Sequence, residues 1–159
     1  ALLDGVDLPK NFIMTVNAGD IPADHWTQDK AQGGGRIIGE ACHFIDLLTH
    51  LAGAPAREAR GLALGAHPAM AVREDKAVIT LAFEDGSIGV INYLANGHRA
   101  DRARLGRVQG PKARRQDKGQ DACAAAFVRA VKDGVPCPIP LDQVIASNRV
   151  SIEVANALG

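Results

Sequence analysis

Two runs, Lys76–Phe83 (K-A-V-I-T-L-A-F) and Ser87–Leu94 (S-I-G-V-I-N-Y-L), flank the dipeptide Asp85-Gly86. Alternating β-branched and aromatic residues around such a dipeptide predict an antiparallel hairpin, here with a two-residue type I′ turn that needs positive φ. The first run is apolar on both sides. Val78 and Ala82 share one face, and Ile79, Leu81 and Phe83 share the other. A strand of that kind has to be covered twice. The expected covers are helices of the chain on one face and a partner subunit on the other.

The remaining periodicities set out the rest of the fold. Asn11–Asn17 alternates, with Phe12, Met14 and Val16 on one face, and predicts a strand. Residues Ala18–Gly33 are polar and read as a long loop, a length usually associated with function or disorder. From Arg36 to Ala52 the period is helical. Ile37, Ala41, Phe44, Ile45, Leu48, Leu51 and Ala52 form the apolar stripe, Glu40, His43 and His50 lie off it, and Gly53 and Pro55 stop it. Arg57–Leu64 reads as a further strand, and Ala103–Gln109 as a possible edge strand. Gln120–Lys132 is a helix with Ala122, Cys123, Ala126, Phe127, Ala130 and Val131 on one side. A last helix opens at Pro140 with a stripe of Val144, Ile145, Asn148, Ile152 and Ala155. Strands bunched between helices predict an α+β layer: an open, mainly antiparallel mixed sheet with helices on one face and the other face free for oligomerisation. We expect one domain spanning residues 1–159.

Composition narrows the function classes. Eighteen basic and eighteen acidic residues cancel, so net charge favours neither nucleic acid nor an anionic membrane. Residues Arg99–Lys118 hold eight Lys or Arg against two Asp, yet no aromatic residue for base stacking. No apolar run approaches the ~20 residues of a membrane span. The first ten residues do not read as a signal peptide. Cys42, Cys123 and Cys137 have no framework spacing and predict reduced thiols in a cytoplasmic setting. No C-x-x-C or i, i+4 His pair points to zinc, and no metal site is expected. The abrupt start at Ala1 and end at Gly159 read as part of a longer protein.

The chemistry concentrates in Trp26–Asp46 (W-T-Q-D-K-A-Q-G-G-G-R-I-I-G-E-A-C-H-F-I-D). Glycines Gly33, Gly34 and Gly35 run into the helix, where backbone can come close to a ligand and the first N–H groups are free. His43 follows with Glu40 and Asp46 at spacings of three, a candidate proton-transfer group flanked by carboxylates. Arg36 suits a substrate carboxylate or phosphate. Asn17 ends the first strand, and Trp26 suits stacking on a sugar ring. Each also has a bland reading: a satisfied histidine, a helix-start carboxylate, a flexible helix start, a loop anchor. Cys42 and His43 are sequence neighbours and do not face each other on a helix. No G-x-G-x-x-G or Walker pattern is present.

The W-x-x-D-x-x-x-G-G-G-R-I-I-x-E-x-x-H-x-x-D segment resembles the C-terminal domain of the Gfo/Idh/MocA oxidoreductases, the glucose–fructose oxidoreductase and inositol dehydrogenase family. Thr80–Tyr93 is similar to that family's central hairpin, and Asp121–Pro140 to its late helix and proline-containing loop. The resemblance implies a fold like the C-terminal domain of glyceraldehyde-3-phosphate dehydrogenase. It implies a small-molecule substrate (sugar, polyol, inositol or nucleotide-sugar derivative), a homo-oligomer built through the sheet face, and NAD or NADP in the full-length protein. The dinucleotide-binding domain and its catalytic lysine are absent here, so no cofactor is expected on this chain alone. His43 and Asp46 match the pattern G-G-G-x-L-x-D-x-G-x-H-x-x-D, with His43 the implied catalytic residue. Its earlier aspartate falls on Gly39, beside Glu40, and that departure leaves open a non-catalytic dimerisation or ligand-sensing module.

Overall fold

The computed structural model describes residues 3, 5–96 and 119–158. Its elements are β1 (Asn11–Asn17), a single 3-10 turn (Trp26–Gln28), a π-turn (Ile37–Ala41) continuous with α1 (Cys42–Ala52), β2 (Ala56–Ala63), β3 (Lys76–Phe83), β4 (Ile88–Leu94), α2 (Gln120–Asp133) and α3 (Leu141–Leu158). The four strands form one mixed sheet in the order β1-β4-β3-β2, with β1 parallel to β4 and the other pairs antiparallel. This is the α+β architecture that the periodicities predict.

One face of the sheet lies under α1 and α3. Ala77, Ile79, Leu81 and Phe83 of β3 and Ile91 and Tyr93 of β4 point into it and are buried, against Ile45, Leu48, Val150, Val154 and Leu158. Two glycines bring the layers together. A Cβ on Gly89 would stand 2.9 Å from Leu48 Cδ1, and one on Gly61 2.9 Å from Leu158 Cδ2. Among the described residues nothing covers the opposite face: Ile13 is 76% exposed, Leu62 75%, and Val78, Thr80 and Ile88 are also exposed.

Lys10 binds three parts at one end of the sheet. Its N–H donates to Ser87 Oγ at 2.8 Å, and its carbonyl accepts from Ile88 N–H at 2.9 Å. Its ammonium donates to the Ala52 carbonyl at 3.0 Å, where the negative end of α1 favours a cation.

Three expectations are corrected. The β3–β4 loop has three residues, Glu84–Gly86, closed by Phe83 N–H to the Ser87 carbonyl, with Gly86 left-handed at φ 86°. Asp85 accepts from Ser87 N–H and Oγ, which favours this longer loop over a type I′ turn. In α3 the buried side is Ser147, Val150, Ser151, Val154 and Leu158, while the expected stripe residues Val144, Ile145 and Ile152 are exposed. Small serines let the helix sit close to its neighbours, and proximity won over apolar count. In α2 only Ala130 is buried, and Phe127 and Val131 are exposed. The expected basic stretch and edge strand Ala103–Gln109 lie outside the described residues. No helix among the described residues is long and apolar enough to cross a membrane.

Candidate functional site

The loop before the helix is tightly closed on itself. Asp29 carboxylate accepts from Ala31 and Gln32 N–H, and the Asp29 carbonyl accepts from Gly33 and Gly34 N–H at 2.8 and 3.1 Å. Gly33 lies against the 3-10 turn so closely that a Cβ would meet Thr27 Cα and the Trp26 carbonyl at 2.5 Å. Gly34 and Gly35 are left-handed, at φ 71° and 81°. The glycine run therefore has local reasons, and two of its N–H groups are spent inward. Gly34 and Gly35 border a small hollow of about 50 Å3 with Gln28 and Asp75.

The helix opens with a π-turn, in which Cys42 N–H reaches the Ile37 carbonyl five residues back. Such turns recur at functional sites. Arg36, 7% exposed, explains its anchorage. Nη1 donates to the Gly19 carbonyl at 2.6 Å and Nη2 to that of Ala18 at 3.3 Å. Nη2 and Nε donate to Glu40 Oε2 at 2.5 and 3.2 Å. The same oxygen accepts from Tyr93 O–H at 2.7 Å, and the guanidinium lies 5.6 Å from the centre of the Tyr93 ring. Burial, and then the bond to Glu40, push the Tyr93 phenol well above its ordinary range. One carboxylate thus joins the end of β1, β4 and the helix. Removing it would leave a nearly buried guanidinium short of a partner, at a cost of about 1–3 kcal/mol. Arg36, read from the sequence as a substrate ligand, and Glu40, read as a carboxylate flanking His43, are engaged with each other.

His43 stands exposed on α1, one turn beyond Gly39, which is also exposed. Asp46 Oδ1 accepts from Ser147 Oγ at 2.8 Å, linking α1 to α3. Asp46, Thr49 and His50 continue the outward side of α1 into an open hollow of about 540 Å3 with Ile139, Asp142 and Gln143. Asn17 closes β1 opposite Leu94. Trp26 is 61% exposed, its ring 5.9 Å from that of His25 and tilted by 34°. Cys42 is half-buried, and desolvation raises its thiol pKa, so it is no activated nucleophile.

Sequence reasoning missed Asp75. It is 2% exposed, accepts from Lys76 Nζ at 2.5 Å and from Gln28 Nε2 at 3.2 Å, and pins the long loop to the start of β3. The signal was an ion pair heading an otherwise apolar strand. Among the described residues no three His, Cys, Asp or Glu side chains gather as a metal site.

A family model described as "Oxidoreductase family, C-terminal alpha/beta domain" matches residues 10–136. No curated protein matches the chain. Solved structures do. UDP-N-acetylglucosamine 3-dehydrogenase GnnA from Acidithiobacillus ferrooxidans is 15% identical, with TM-score 0.66 over 97% of this chain and 56% of that one. Aldose-aldose oxidoreductase from Caulobacter crescentus, crystallised with glycerol, is 14% identical, with TM-score 0.70 over 98% and 56%. The WlbA dehydrogenase from Bordetella pertussis, in complex with NADH and UDP-GlcNAcA, is 15% identical, with TM-score 0.61 over 92% and 51%. At these identities the likeness is one of fold, and the chain spans about half the length of each.

Proposed function

The chain belongs to the Gfo/Idh/MocA oxidoreductase family, whose C-terminal alpha/beta domain it carries, and from that premise we propose that it is the substrate-binding and oligomerising part of an NAD(P)-dependent dehydrogenase. The substrate class is a sugar, polyol, inositol or nucleotide-sugar derivative, in keeping with the named relatives. The setting is cytoplasmic. The open sheet face meets a second copy. The observation that carries the reading is His43: exposed, outward on α1, and held just past an anchored π-turn.

A nicotinamide, when bound, would supply hydride transfer at the carbinol carbon. His43 takes or returns the hydroxyl proton at an imidazole nitrogen. The Gly33–Gly34 pair does not offer the dinucleotide a phosphate cradle, because both N–H groups are already bonded to Asp29. The cofactor is held by a separate dinucleotide-binding domain. Trp26, Asn17 and Asp46 are proposed to line the substrate side, while Arg36 and Glu40 hold the helix that carries His43.

Gly39 favours a second reading, a non-catalytic module that kept the fold, because the family's aspartate is missing there. The two readings separate in the full-length protein. His43→Ala should lower turnover by ~10²–10⁴-fold while cofactor affinity stays close to that of the parent. A rate within about threefold of the parent would remove His43 from the chemistry.

A further inference from the structure

A buried hydroxyl costs free energy unless an acceptor meets it, so a tyrosine in a core position that phenylalanine could fill needs a reason. Tyr93, near the end of β4, is such a residue. It is fully buried, and its O–H donates to Glu40 Oε2 on the π-turn. Packing asks only for the ring. Phe83, on the same face of the neighbouring strand, is buried without a hydroxyl. Arg36 does not need the phenol either, since its Nε and Nη2 already hold Glu40 Oε2. What the hydroxyl adds is a tie from the sheet to the π-turn.

That tie brackets His43. Tyr93 meets Glu40 with its hydroxyl and Phe44 with its ring, the two ring centroids 6.4 Å apart and tilted by 46°. Glu40 precedes His43 on the helix and Phe44 directly follows it. A π-turn holds an extra residue, so whatever follows it is rotated by about 100° from its place on an unbroken α-helix. Beyond the turn, Ile45 and Leu48 fix the register in the core. Before it, Arg36 fixes the register on the Ala18 and Gly19 carbonyls. Between these anchors the Glu40 side chain is 40% exposed, and Tyr93 secures it to the sheet.

We propose that Tyr93 is a positioning residue: through Glu40, its hydroxyl fixes the register of the π-turn and with it the direction in which His43 presents its imidazole. The proposal rests on the assignment of His43 as the proton-transfer group, and it adds what aims that group.

The test pairs Tyr93→Phe with Ser87→Ala in the full-length protein. Ser87 is also fully buried and hydrogen-bonded, to Asp85 and to the Lys10 N–H, but it stands at the far end of β4. Its loss controls for structural damage alone. Turnover is followed by NAD(P)H absorbance with D-glucose, myo-inositol and UDP-N-acetylglucosamine as probes, well below the lower thermal midpoint of the two variants. For the probe that the parent turns over best, Tyr93→Phe should lower kcat by roughly fivefold or more with KM within about twofold, because a misdirected group loses rate rather than affinity. Ser87→Ala should keep both constants within about twofold of the parent. Without substrate, the His43 ring signals in proton–carbon correlation spectra, identified by their absence in His43→Ala, should move in Tyr93→Phe while those of His25 and His67 stay. Unmoved His43 signals, kcat within about twofold of the parent, or an equal kcat loss in Ser87→Ala would each overturn the proposal. Failure of the underlying assignment shows elsewhere, as unchanged kcat in His43→Ala.

Discussion

Neighbouring residues of β3 live in different solvents. Ile79 and Leu81 are sealed under α1 and α3, whereas Val78 and Thr80, on the same strand, face outward with Leu62, Asn92 and Thr15 beside them. The closed face is continuous and apolar. The open face interleaves apolar side chains with polar ones: Thr15, Asn92, Val78 and Leu62 form one row, and Ile13, Val90, Thr80 and Arg60 the next. The closed face therefore determines whether the chain folds. Under the proposed pairing of copies, the open face would be wet in one state and covered in another.

The largest effect that would test this contrast is on the closed face. Ile79→Ala should destabilise the fold by about 2–5 kcal/mol, read from the midpoint of chemical unfolding, because neighbours on both sides are too constrained to close the cavity. The open face should behave oppositely. Exchanging Ile13 and Leu62 together for Asp should move stability by only about 0.5 kcal/mol per site. Under the proposed pairing of copies, the same exchange should convert a dimer or larger species to monomer in light scattering at tens of micromolar. A parent chain that runs as a monomer with no concentration dependence would leave the open face to some other cover. The smallest effect belongs to neither face. Ser87 holds the exposed Asp85 carboxyl below its ordinary value of 3.8, through side-chain and then backbone bonds. A depressed folded value means stability that is present above about pH 3.8 and is lost as pH falls through the folded value. Asp85→Ala should therefore lower stability slightly at neutral pH, leave it unchanged well below the folded value, and so flatten the acid limb of the unfolding profile.

The strands were legible because period-2 patterning is a local signal. β1 falls on Asn11–Asn17 and β3 on Lys76–Phe83, as their alternation predicts. The helix that carries His43 was legible in its stripe, with Ile37, Ala41, Ile45, Leu48 and Ala52 buried. Its π-turn was not, because the bonds that hold it reach from Arg36 to the Ala18 and Gly19 carbonyls and from Glu40 to Tyr93, fifty-three residues away. The face of α3 was misread for a related reason. Ser147 and Ser151 are buried there by what they touch, and one of those contacts is Asp46 on another helix. For the candidate site, the sequence marks the chemical groups, but which groups are already committed to each other emerges only from distant partners.

The parallel pairing of β1 with β4 bears on time as well as shape. β2, β3 and β4 follow one another in the chain, whereas the Lys10–Ser87 bond at the start of β1 spans 77 residues. Closing so long a loop costs entropy before any contact rewards it. β1 is thus expected to dock last, onto an edge that the meander has already built. Until it does, β4 presents unpaired backbone groups beside Ile88 and Val90, and that interval is when a newly made chain is most open to wrong partners.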